Sequence, residues 1–430
     1  MNDQLAIDAI KGEPSKPRRW LDFLGPGLIT GASDDDPSGI ATYSQVGAQF
    51  GYGMTWLMLF SYPLMCAIQE ISARMGRTTG RGVAGNMRRH GPRRLVRPIV
   101  GLVLLANIIN IGADLGAMGA ALRLLVGGPA HLYVAVFAAA CAALQIWTKY
   151  ERYVGVLKWT TVSLFAYVAC VLVVDVPWRE VVWHTLIPTV NFDSASVLAM
   201  VAVLGTTISP YLFFWQSSHE AEEAKEDPAA KPLILVPSQS RWELYRIRID
   251  TYVGMAFSNV VALFIIITTA ATLNAHGVTD IQTSEQAAEA LRPIAGTFAF
   301  AVFAVGIIGT GLLAIPVLAG SAAYAVGEAL AVPTGLARLP HEAKAFYATV
   351  AIATLLGVGI NFSPLDPIKA LFWSAIINGV VAVPVMVIIM VMAMQKKVMG
   401  QFTLPMPLCV IGWLATLVMG AVVVALFATL

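Results

Sequence analysis

Three consecutive carboxylates in the run Ser33-Asp34-Asp35-Asp36-Pro37-Ser38-Gly39 interrupt an apolar segment, Phe23 to Phe50, that is long enough to cross a bilayer. Acids at membrane depth are expensive. Insertion scales put a central Asp at roughly +2.5 to +3.5 kcal/mol, so such groups usually face a cavity and mark an ion pathway. Pro37 removes a backbone donor and Gly39 loosens the chain, so a helix through this segment breaks here and frees carbonyls beside the acids. Carboxylates beside free carbonyls make a cation site.

The elements that must position these residues are membrane helices. The 430-residue chain is 57% hydrophobic and only 13% charged, with mean hydropathy +0.71, which excludes an ordinary soluble globule. Apolar segments of spanning length fall at about 25–49, 54–73, 98–126, 131–148, 155–175, 194–217, 250–274, 295–326, 345–362, 368–394 and 405–429. That pattern predicts an all-α polytopic membrane protein with eleven transmembrane helices. It also predicts a cytoplasmic N-terminal tail over 1–22 and an eleventh helix within 395–430.

Charge placement supports the count independently. With the N-terminus cytoplasmic, twenty-four of the 28 Lys and Arg residues fall on inside segments, including the stretch Arg74 to Arg97. The outside segments hold only Arg179, Arg292 and Lys369, and Arg123 lies near a helix end. By the positive-inside rule the C-terminus is then outside, in the cell's inner (plasma) membrane. The net charge of +2 reports topology, and the partners are the lipid bilayer and an ion, with no nucleic acid needed.

Segments one to five and six to ten form two sets of five, spanning 23–175 and 194–394, and the first helix of each set is interrupted. The sixth breaks at Gly205-Thr206-Thr207-Ile208-Ser209-Pro210. Five is odd, so the halves must be inverted relative to one another. Interrupted helices at matching positions of inverted repeats point to a substrate site between them, near the midplane.

These residues carry a family resemblance. From about Leu24 to Met394 the chain resembles the natural-resistance-associated macrophage protein (Nramp) family of divalent-metal transporters, which share the five-plus-five inverted repeat of the leucine transporter. The family's first broken helix carries Asp-Pro-Gly-Asn and its sixth Met-Pro-His; this chain reads Asp36-Pro37-Ser38-Gly39 and Ser209-Pro210-Tyr211. Gly25-Pro26-Gly27, Gln69-Glu70-Ile71 and Asp114-Leu115 are similar to the family as well.

In the family the metal is held by the Asp, the Asn, the Met sulfur and backbone carbonyls. Here Gly39 replaces the Asn and Ser209 the Met. By carry-over the resemblance leaves Asp36, the Ser209 hydroxyl and carbonyls near Ser33 and Thr206, all hard oxygen donors. Such a set suits Mg²⁺, which dehydrates reluctantly and keeps several waters, and the missing side chains should make room for that shell. The chain therefore resembles the family's magnesium-transporting branch. Proton-coupled members also use the His of Met-Pro-His and an Asp and Glu on the third helix; this chain has Tyr211 for the His and Ala117 for the Glu. A phenol, with an unperturbed pKa near 10, is a poor proton relay at neutral pH. The resemblance with these departures implies Mg²⁺ uptake by alternating access, with Mn²⁺ or Ca²⁺ as further cargo, driven by membrane potential and uncoupled from protons.

Each residue also has a plainer reading. Asp34 and Asp35 could line the aqueous mouth, and Ser209 could cap the second half-helix. Asp114 could be a satisfied acid paired inside the bundle, and Asn378, in a tenth segment that looks interrupted, could reach the cavity. Glu70 and Arg74, four apart on a helix, suit an internal ion pair. The segment 219–249 reads as a cytoplasmic loop whose acids form a solvated face or attract cations. Gly112, Gly116 and Gly119 have the spacing of close helix packing. Cys66, Cys141, Cys170 and Cys409 are scattered with no CxxC pair and read as core. There is no Walker loop, dinucleotide fingerprint or HExxH, so the chain is read as neither enzyme nor ATP-driven pump, and needs no cofactor. Two other functions fit the same residues: a proton-coupled Mn²⁺ or Fe²⁺ transporter, and a sodium-coupled carrier of organic solutes in which Asp36 holds Na⁺.

Overall fold

A computed structural model of the chain describes residues 26–147, 165–226, 231–363 and 366–429. The predicted N-terminal tail, Gly25, most of the fifth apolar segment and part of the acidic segment lie outside these residues. The longer helices are α1 (Pro26–Asp34), α2 (Pro37–Phe50), α3 (Trp56–Thr79), α4 (Val83–His90), α5 (Arg93–Val126) and α6 (Ala130–Trp147). They continue as α7 (Ser194–Thr207), α8 (Pro210–Glu226), α9 (Ser240–Thr272), α10 (Ala299–Leu330), α11 (Lys344–Ile360), α12 (Pro367–Ala393) and α13 (Met406–Thr429).

Local chemistry sets the ends that matter. Asp36 caps α2, its Oδ1 accepting the Gly39 N–H at 2.7 Å, and Pro37 sits at the first turn, where its missing donor costs nothing. Asp193 caps α7 through the Ser196 N–H. Asp366 caps α12, again with a proline at the first helical position. α1 and α2 together make the first broken segment, and α7 and α8 the sixth.

Seven segments among the described residues are long and apolar enough to span a membrane, the broken pair α7–α8 counted as one. The predicted eleven also needs the two halves of the first broken segment, α3, α11 and the fifth segment. α3 carries Glu70, Arg74 and Arg77, α11 is short at 17 residues, and only Phe165–Val171 of the fifth segment is described. Leu105, Leu132, Leu355, Leu417 and Phe427 point outward from their helices, as a lipid-facing surface requires.

Two expectations are corrected. The tenth segment is not interrupted: α12 runs unbroken from Pro367 to Ala393 through Pro384, because neighbouring helices hold a proline-containing membrane helix in place. Nor is 219–249 one loop. α8 continues to Glu226 and α9 starts at Ser240, and of the described acids only Glu223 is exposed to solvent. Glu220 is fully buried and pairs with Arg246 at 2.7 Å, Glu223 reaches the same guanidinium at 3.4 Å, and Glu222 accepts the Tyr324 hydroxyl. Arg246 further binds Glu243, which also holds Arg77 of α3 at 3.1 Å. These pairs clasp α3, α8 and α9 at one end of the bundle.

The internal ion pair Glu70–Arg74 forms at 2.6 Å. The glycine stripe on α5 does pack closely: a Cβ at Gly112 would lie 2.9 Å from the Gly357 carbonyl, and one at Gly119 would lie 3.0 Å from that of Ala130. α1 is also pressed tightly. A Cβ at Gly31 would fall 2.2 Å from the carbonyl oxygen of Gly254 on α9, and the Gly27 N–H donates to Asp250 Oδ2 at 2.6 Å.

Candidate functional site

The two breaks face one another at the centre of the bundle. α1 stops at Asp34 and α2 starts at Pro37, leaving Asp35 and Asp36 between two helix ends. α7 stops at Thr207, Ile208 turns out of helical geometry (φ −116°, ψ 57°), and α8 starts at Pro210. Tyr211 ties the breaks together. Its hydroxyl donates to the Ser33 carbonyl at 3.1 Å and lies 3.4 Å from Asp36 Oδ2. Ser33, Asp36, Thr206, Ser209 and Tyr211 are thus brought to one place, all buried.

Gly39 stands between the breaks. A Cβ there would lie 3.2 Å from the Asp34 carbonyl oxygen and 3.3 Å from Thr206 Oγ1. The space expected from the missing side chain is therefore closed by its neighbours. Gly39 contributes its amide, which holds Asp36 Oδ1 in place.

The Ser209 hydroxyl does not cap α8. It turns back and donates to the carbonyls of Gly205 and Thr206, each at 2.8 Å, which are left without helical partners where α7 ends. The Ser33 and Thr206 carbonyls expected as ligands each accept one side-chain hydroxyl here. A carbonyl oxygen has two lone pairs, so accepting one hydroxyl does not by itself bar a cation.

Asp34 and Asp35 turn away from this cluster toward α9, where Ser258 Oγ lies 2.7 Å from Asp34 Oδ2 and 3.0 Å from Asp35 Oδ1. Asp114 on α5 is not the satisfied acid of the plainer reading. It is fully buried, and neither oxygen has a hydrogen-bond partner of good geometry, the Ser38 amide lying beside it. Asn378 accepts from Asn110 at 2.9 Å, one turn along α5 from Asp114.

Sequence reasoning missed Asn110, Ser258 and a chain of amides. Gln69 on α3 donates to the Leu212 carbonyl at 3.0 Å and to Gln216 on α8, which donates to Thr251 on α9 at 3.0 Å. The adjacent polar pair Ser258-Asn259 inside an apolar segment was a usable signal for the α9 contribution.

Solved structures share this fold. The Eremococcus coleocola manganese transporter, in complex with an aromatic bis-isothiourea substituted compound, matches with TM-score 0.74 at 18% identity, covering 97% of this chain and 89% of that one. MhsT in complex with L-phenylalanine matches with TM-score 0.60 at 12% identity, covering 93% and 98%. The fold and the facing breaks define a multi-pass helical membrane protein of the leucine-transporter type. Residues 27–429 match the model of the natural resistance-associated macrophage protein-like family, and the chain belongs to that family. Among relatives, the divalent metal cation transporter MntH of Granulibacter bethesdensis is 25% identical over 418 residues, 94% of this chain and 88% of its own.

Proposed function

We propose that the protein is a plasma-membrane carrier of divalent metal cations, taking up Mg²⁺ by alternating access, driven by membrane potential and uncoupled from protons. Family membership and the divalent-cation relatives support the class. One observation carries the choice of ion: the cluster where the breaks meet offers only oxygen, from Asp36, the Ser209 hydroxyl and the Ser33 and Thr206 carbonyls. Hard oxygen donors around one carboxylate suit a hydrated Mg²⁺ better than a transition metal, which gains from sulfur or nitrogen.

In the absence of an imidazole, Tyr211 acts as a fixed donor between Ser33 and Asp36 and not as a proton relay. The inside-negative potential then supplies about 2.3 kcal/mol per elementary charge per 100 mV. The Arg-rich end, clasped by the Arg246 pairs, is the cytoplasmic one under this reading. Proton-coupled Mn²⁺ uptake is the second reading, favoured by the likeness to a manganese transporter.

The test is flux into proteoliposomes with Mg²⁺, Ca²⁺ and Mn²⁺ in parallel, membrane potential and pH gradient set separately. Wild type is expected to take up Mg²⁺ under potential alone, and Asp36→Ala is expected to lose uptake of all three ions. Flux that required an imposed pH gradient would favour the second reading. Normal transport by Asp36→Ala would remove Asp36 from the site.

A further inference from the structure

Between Glu70 and Asp114 the sequence carries eight arginines and no acid, and from Pro367 to Leu430 it carries three lysines and no acid. The fold brings parts of these two stretches together. Met87 of α4, Val96 of α5 and Val398 of the short helix Lys396–Met399 share one buried apolar cluster, with Arg81, Arg88, Arg89, His90 and Lys397 gathered beside it. Arg88, Arg89 and Lys397 are exposed. Burial, and then the charges of Arg89, Lys397 and Arg81, hold the His90 imidazole below its ordinary pKa, while burial, and then Arg89 and Arg88, lower the Arg81 guanidinium. The basic groups thus lie within reach of one another's fields.

Nothing on the protein balances them. None of the five forms an ion pair among the described residues. The acid that acts on Arg81 is Glu328 of α10, whose two oxygens already accept the Gly82 and Gly85 N–H groups at 2.9 and 2.8 Å. Membrane topology asks that each cytoplasmic loop be basic, but it does not ask two distant loops to crowd their charges together. Crowded like charges call for an anion. Their position identifies it: α5 runs on from this patch with Leu95, Leu102 and Leu105 pointing outward, and Met394 is exposed three residues before Lys397. An anion that sets a phosphate on the patch and apolar chains beside α5 is a phospholipid.

We propose that Arg81, Arg88, Arg89, His90 and Lys397 bind the headgroup of an anionic phospholipid of the cytoplasmic leaflet, its acyl chains lying along Leu95 and Leu102 of α5. The proposal rests on the Arg-rich end being cytoplasmic and is independent of which ion is carried. Guanidinium groups pair with phosphate oxygens in a fork, and a lysine adds a point charge. The patch is also tied to moving parts. The Val83 N–H donates to Ser217 Oγ of α8 at 3.1 Å, and Glu328 pins the start of α4 to α10. A headgroup that holds α4 therefore steadies the inner end of α8, the helix that begins beside Tyr211.

Thermal unfolding of the full-length protein in neutral detergent, with phosphatidylglycerol, phosphatidylcholine or inorganic phosphate added and divalent cations left out, tests this. Phosphatidylglycerol is expected to raise the melting temperature by several degrees in a saturable way, and the other two to leave it unchanged. Lys397→Gln is expected to need roughly fivefold more phosphatidylglycerol for the same shift, and Arg88→Gln/Arg89→Gln/Lys397→Gln at least about tenfold more. Arg338→Gln/Lys344→Gln, which removes exposed charge outside the patch, is expected to respond as wild type does. An equal loss in the patch and control variants reduces the effect to overall charge and overturns the site. A response to phosphatidylcholine, or to inorganic phosphate alone, overturns an anionic lipid as the ligand. No shift with any addition overturns the proposal and leaves the Asp36 uptake test standing, because no transported ion enters this measurement.

Discussion

Tyr211 is the residue on which the geometry of the two breaks turns, because one hydroxyl reaches both the end of α1 and the carboxylate that caps α2. Tyr211→Phe removes the hydroxyl that donates to the buried Ser33 carbonyl, and losing the donor of a buried acceptor costs about 1–3 kcal/mol. The expected outcome is a lower melting temperature by thermal unfolding in detergent. Because the phenol is not a relay, flux per folded molecule should keep the same pH dependence between about pH 6 and about 8. A pH profile that changed in the Phe variant would contradict this role. The Asp-Pro and Ser-Pro pairs made both breaks legible in the sequence, since proline and a capping acid act locally. The partners of Tyr211 and Ser258 were not legible. Contacts 178 and 224 residues apart leave no periodic signature.

At the scale of elements, α1 is held to α9 by backbone contact through glycine, and about two turns nearer its start α9 is held to α3 and α8 by charge. Gly31→Ala places a methyl group where the Gly254 carbonyl stands, so α1 must move off α9. Overpacking of this kind costs about 1–3 kcal/mol, and because α1 leads directly into Asp34 the variant is expected to lose both thermal stability and metal uptake. Unchanged melting and uptake would show that α1 can shift freely. Arg246→Ala leaves Glu220 buried beside Glu223 and Glu243 without its ion-pair partner, and breaking a buried pair costs about 3–5 kcal/mol. A large fall in melting temperature is expected, partly restored by combining the change with Glu220→Gln. The sequence signalled the acids here but not their use. Composition reads a charge run as solvated, whereas the folded chain brings Arg77 and Arg246 against it from two other helices. Likewise the Pro384 of α12 suggested a break that tertiary packing overrides.

Across the whole molecule, a cavity of about 190 Å³ opens beside α2 at the end away from the Arg246 clasp, lined by Gln45, Gln49, Asp280, Lys369 and Trp373. With the Arg-rich end cytoplasmic, this mouth faces outward. Gln49→Cys, at an exposed position on its rim, is then expected to react in intact cells with a thiol reagent that cannot cross membranes. Reaction only after permeabilisation would reverse the orientation. The class of fold was legible because apolar segment lengths and the bias of Lys and Arg are imposed by the bilayer along the whole chain. The precise helix ends were less so: α5 starts at Arg93 and α10 ends at Leu330, both beyond the apolar stretches that suggested them, because helices extend into the polar boundary where hydropathy no longer marks them.

The central claim is that an oxygen-only site built on Asp36 selects a hydrated, hard cation. Competition measures it most directly: initial uptake of tracer Mn²⁺ into proteoliposomes under a fixed membrane potential, with and without millimolar Mg²⁺. The account predicts that Mg²⁺ suppresses Mn²⁺ uptake by half or more, in a manner lost together with all uptake in Asp36→Ala. Mn²⁺ uptake that proceeds unchanged in excess Mg²⁺ would contradict it.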